Sequence, residues 1–151
     1  MSGWHVGVAK EEITPPDGHW LDGWGARNSA STAVTHKIYA KALALRWHDD
    51  AMAVIVTTDL LGFSPTLTES LVEWVEREFS LPRSNLILNA SHNHSGPVVD
   101  DVLPLYFNLS AEHNARVSAY PAAQEPNPQA GSRNAIAKLP TDDNRRPSAA
   151  A

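Results

Sequence analysis

The chain of 151 residues contains no cysteine. That excludes disulfides, thiolate metal sites and a cysteine nucleophile, and leaves the redox compartment undecided. Basic residues are few (Lys and Arg total 12) and form no stripe; the net charge is -5. Nucleic-acid binding therefore has no electrostatic support. No run approaches the roughly 18 apolar residues of a membrane span. Met1-Ser2-Gly3-Trp4-His5-Val6 lacks a basic region followed by an apolar run. No signal peptide is read there, and the cytoplasm is the expected address. Aromatic residues stop at Tyr120, and residues 121–151 hold five of the eleven prolines with Ile136 and Leu139 as their only large aliphatics. Such a segment buries too little apolar surface to offset its ordering entropy. A disordered, low-complexity tail is expected over 121–151, and a folded part over 1–120.

The hydrophobic content of 42% suits a globular chain. Val6-Gly7-Val8 reads as a short strand, ended by Ile13-Thr14-Pro15-Pro16-Asp17-Gly18, where paired prolines remove two donors and Asp-Gly favours a turn. Residues 17–35 read as a long loop; Trp20, Leu21 and Trp24 are apolar exceptions that imply packing. Residues 38–47 and 52–58, joined by His48-Asp49-Asp50, suggest a hairpin. The consecutive apolar positions of the second strand imply burial on both faces.

The clearest helix covers 65–79. Ser64 is a suitable N-cap, Pro65 suits the first turn, and Leu67, Leu71, Val75 and Phe79 recur at one-turn spacing. Leu81-Pro82 stops it. Asn85 to Ala90 is a further apolar strand. Strand, helix and strand make a βαβ unit with parallel strands and a right-handed crossover. The expected fold is α/β: a partial mixed sheet with a βαβ unit and an adjacent hairpin strand. Residues 110–119 can add a short helix, but its apolar face is mostly alanine. One strong helix leaves a sheet face uncovered, so a missing segment or a partner is expected to complete it.

That topology brings Asp59 and the segment Ser91-His92-Asn93-His94-Ser95-Gly96-Pro97 to the C-terminal edge of the sheet, where ligands of open α/β folds gather. Alternate residues of an extended segment share a face, so His92 and His94 are expected to converge, as zinc ligands or as one ligand and one substrate contact. With 7 histidines in 151 residues, about 0.3 such pairs arise by chance. The spacing gains weight from its place after a buried strand. Gly96 is expected to allow an unusual turn and close approach of a ligand.

Other residues carry two readings each. Asp59 either ligates or orients a histidine, or caps the next turn. Asp100-Asp101 suits a solvated loop. His36 either reaches the same edge or lies on the surface. His5, His19, His48 and His113 look incidental. Trp20, Trp24, Trp47 and Trp74 read as core, with Trp20 and Trp24 also suited to wall an apolar pocket. Ser95 lacks the context of a nucleophile elbow. The H-x-H-x-D-H pattern of metallo-β-lactamase-like hydrolases is excluded, because Gly96 and Pro97 fill its last two positions.

Several stretches taken together resemble the neutral/alkaline non-lysosomal ceramidase family. They are Val6-Gly7-Val8-Ala9-Lys10; Ile13-Thr14-Pro15-Pro16 with Gly18; Leu21, Gly23-Trp24 and Arg27; Tyr39-Ala40-Lys41-Ala42-Leu43; and Thr58-Asp59-Leu60-Leu61-Gly62. Ala90-Ser91-His92-Asn93-His94-Ser95-Gly96-Pro97 resembles that family's T-H-T-H-S-G-P signature. The match covers about residues 5–119. It implies part of a larger hydrolase domain and a zinc-dependent amidohydrolase that cleaves the N-acyl bond of ceramide, a lipid-like small substrate. It implies His92 as a zinc ligand, His94 as the catalytic partner, and possible export of the protein. Zinc would lower the pKa of a bound water and polarise the amide carbonyl. Asn93 departs from the usual threonine, and Val98-Val99 from the usual glycines. The family's further ligands, a histidine, a glutamate and a tyrosine, find no match here. The expectation is a truncated chain with an incomplete metal site, and the alternative is a non-catalytic remnant or small α/β binding module without stable metal.

Overall fold

The structure is a computed structural model that describes residues 4–15, 18–47, 52–99, 102, 109–120, 133, 134 and 137. The expected turn at 48–50 and the pair Asp100-Asp101 lie outside these residues. So does the expected tail, save for 133, 134 and 137; there Arg133 donates to the Ser70 hydroxyl at 2.8 Å.

Four strands form one mixed sheet in the order β1-β2-β3-β4: β1 (Trp4–Glu12), β2 (Tyr39–Trp47), β3 (Ala53–Thr58) and β4 (Leu86–Ala90). The first two junctions are antiparallel and the last is parallel, so the hairpin and the βαβ unit are both present. β1 is longer than its apolar triplet suggests, because it pairs with β2 over its whole length, Trp4 with Trp47 and Glu12 with Tyr39.

α1 (Pro65–Phe79) crosses from β3 to β4. The buried Ser64 hydroxyl accepts the Leu67 N–H at 3.0 Å, and Ser80 closes the helix in a left-handed conformation. Leu67, Leu71 and Val75 face the sheet, where Ala40, Ala42 and Ala44 of β2 are small enough for close helix approach. Val54 and Val56 of β3 and Leu86 of β4 complete this layer. α2 (Ala111–Ala119) buries Val117 against Trp20 and Val98, so one branched residue does what its alanines cannot. The Tyr120 hydroxyl donates to the Ile13 carbonyl, tying the end of α2 to the end of β1.

The sheet's other face is a different surface. Val8, Leu43, Ile55 and Ile87 lie side by side across all four strands by register. Among the described residues nothing covers this row: Val8 is 73% exposed and Ile87 53%. β3 is therefore fully buried on its helix side only, through Val54, Val56 and Thr58, and the expectation of burial on both faces is corrected.

Candidate functional site

The site lies at the C-terminal edge of the parallel pair. Beyond Ala90 the chain keeps following β3: Ser91 N–H donates to Thr58 O at 3.0 Å and Asn93 N–H to Leu60 O at 3.0 Å. Asn93 then locks the turn. Its side-chain nitrogen donates to Asp59 O at 3.2 Å, and its side-chain oxygen accepts Ser95 N–H at 2.9 Å. The residue that departs from the resembled signature thus builds the loop.

His92 and His94 do converge, with ring centroids 4.9 Å apart and planes at 62°. The route differs from strand alternation. His92 stands in the left-handed region with φ 59°, a conformation uncommon for a residue with a Cβ. A turn, not an extended segment, brings the rings together. The His92 Nδ1 lies 3.2 Å from the Leu61 carbonyl oxygen. A carbonyl can only accept, so Nδ1 carries the proton, and in the neutral ring Nε2 keeps its lone pair. Ligating histidines are commonly held in this way, by a backbone carbonyl on the other ring nitrogen.

The loop over 18–27 closes the site from the opposite side. Asp22 N–H donates to Gly96 O and Val98 N–H to Trp20 O, both at 2.8 Å, around a bridge between Leu21 and Pro97. This two-sided zipper buries Asp22 beside the histidine loop. Its Oδ1 accepts Gly23 N–H at 2.8 Å, while Oδ2 is buried without a partner. Burial pushes the Asp22 pKa above the ordinary carboxylate range; the Gly23 N–H, then the nearby His94 and His92 rings, pull it back. Gly23, at φ +90°, packs on His94, and the Trp24 ring meets His94 edge-on at 5.3 Å. Gly96 shows no left-handed backbone; a Cβ there would crowd Asp59 O at 3.1 Å.

Asp59 does not face the histidines. Its Oδ2 accepts Tyr39 N–H at 3.0 Å and its Oδ1 lies 3.5 Å from Lys41 Nζ, so it pins the end of β3 to β2. His36 is exposed, with Nδ1 3.4 Å from the Thr35 hydroxyl, on a groove that Ser95 and Pro97 also line. Trp24 and Trp47 are exposed rather than core, and Trp20 is buried. His19 is buried against Tyr120, and that burial, then the Arg116 charge, lowers its pKa. His19 is thus a packing residue. Asp22 is the residue that sequence reasoning missed. Its only signals were an Asp-Gly step between Leu21 and Trp24, inside a loop with unexplained apolar residues.

The fold of this chain has solved counterparts. Neutral ceramidase from Pseudomonas aeruginosa superposes with a TM-score of 0.66 at 16% identity, covering 92% of this chain. A ceramidase complexed with C2 gives 0.65, with the same identity and coverage. The chain has the fold of one part of these ceramidase structures. It corresponds to 22% of the length of either ceramidase chain. The ceramidase likeness is one of fold. No family model matches the sequence, and no curated protein does. No helix among the described residues is long and apolar enough to cross a membrane.

Zinc takes three or four protein ligands at about 2.0–2.1 Å from nitrogen. His92 and His94 suit that chemistry, and the His92 Nε2 lone pair is already set for it. Among the described residues, no three His, Cys, Asp or Glu side chains converge closely enough to hold a metal.

Proposed function

We propose that this chain is part of a zinc-dependent amidohydrolase that cleaves the N-acyl bond of ceramide or a related N-acyl lipid. His92 is the metal ligand and His94 the catalytic side chain. One observation carries the reading: in a ceramidase-like fold, the Leu61 carbonyl orients His92 so that Nε2 is free, with the His94 ring alongside. A bound zinc would supply Lewis acidity and an activated water. The chain's own residues do the rest. Leu61 fixes the His92 tautomer. Gly23 and Trp24 hold His94 on two sides, and its ring donates a hydrogen bond to the developing oxyanion or carries a proton.

The alternative is a non-catalytic remnant or small α/β binding module without stable metal. The purified chain, given zinc and a fluorogenic N-acyl lipid, separates the two. Metal retained near stoichiometry with turnover, both lost in His92→Ala, supports the hydrolase. Equal zinc retention by the parent and His92→Ala, without turnover, overturns it.

A further inference from the structure

A groove of 410 Å³ adjoins the histidine pair and shares Ser95 and Pro97 with its turn. None of the residues lining it is acidic. Its cation is Arg27, whose Nε is buried without a partner. Arg27 is placed by a turn, its N–H donating to Trp24 O at 3.0 Å. The same turn thus puts Trp24 on His94 and Arg27 on the groove. The hydroxyls of Ser29, Ser31, Thr32 and Ser95 line this hollow, and no hydrogen bond commits them among the described residues. A buried guanidinium donor without an acceptor is costly, so the Arg27 Nε awaits an acceptor, and the solvent-facing hydroxyls around it are free to join in holding an anion.

We propose that this groove binds a carboxylate, and that the site takes N-acyl compounds with a carboxylate on the amine half, the class of N-acyl amino acids. A single guanidinium among neutral hydroxyls balances a monoanion, and its planar fork matches a carboxylate in two parallel hydrogen bonds. The anion site stands on the groove alone. Its assignment to a substrate rests on the amidohydrolase reading above.

The test is calorimetric binding of N-hexanoylglycine, against N-hexanoylethanolamine as the neutral analogue and inorganic phosphate as the free anion. The parent chain should prefer the acylglycine by about tenfold, the discrimination expected when a built hydrogen-bonding site loses its charged partner. Arg27→Gln should abolish that preference while zinc retention and the melting midpoint hold. Arg27→Lys, which keeps charge but not the fork, should keep part of it. No preference in the parent chain, or an unchanged one in Arg27→Gln, overturns the anion site. Phosphate binding as tight as acylglycine binding overturns the substrate assignment. His92→Ala reports separately on the hydrolase reading: preference retained while zinc is lost supports an anion site that stands without the metal.

Discussion

Gly23 and His94 are in such close contact that a Cβ on Gly23 would lie 2.4 Å from the His94 Cγ. Gly23 also has φ +90°, where a side chain is strained whatever the space. Gly23→Ala should therefore cost at least about 1–2 kcal/mol from the backbone alone, and should push the His94 ring off its Trp24 neighbour. Thermal melting reads the first effect, and the His94 ring signals in NMR read the second. An unchanged melt with unchanged His94 signals would refute this contact.

Asp22 gives a pH-dependent prediction. Its folded pKa is raised above the ordinary 3.8. Below 3.8 the carboxyl is neutral in both states, and its contribution to stability is intact. As pH rises through the folded value, the buried group must ionise and that contribution is lost. Asp22→Asn should thus be more stable than the parent at neutral pH without metal. The advantage should vanish below pH 3.8. Denaturant melts across that window check it, and an Asn variant less stable at pH 7 contradicts it.

The uncovered row of Val8, Leu43, Ile55 and Ile87 should make the isolated chain adhesive. Sedimentation should show self-association, and a hydrophobic dye should bind. Val8→Lys with Ile87→Lys should reduce both, with a small stability change for such exposed positions, within about 0.5 kcal/mol each. A parent chain that stays monomeric and binds no dye contradicts the idea.

How much could be read beforehand depended on how local the cause was. α1 was legible because Ser64, Pro65 and the one-turn spacing of Leu67, Leu71 and Val75 all sit within one segment. The hairpin and the parallel pair followed from apolar runs of strand length. The extent of β1 was not legible, since pairing with β2 rather than its own pattern sustains it. The convergence of the two histidines was legible but its geometry was not: His92 has a left-handed backbone, beside the Asn93 N–H bond to Leu60 and its own ring contact with Leu61, both distant in sequence. Asp22 was invisible because its burial depends on pairing with Gly96. Asp59 looked chemical, yet its carboxylate serves the neighbouring strand.

The central claim is that His92 holds the ion through Nε2, with the His94 ring beside it as the catalytic side chain. The most direct measurement is histidine-ring NMR of the chain during a zinc titration, which resolves all seven histidines. The account predicts that His92 and His94 shift together and first, with His92 bound through Nε2 and its Nδ1 proton retained. Zinc-induced shifts at His5, His36 or His113, with His92 and His94 unmoved, would contradict it.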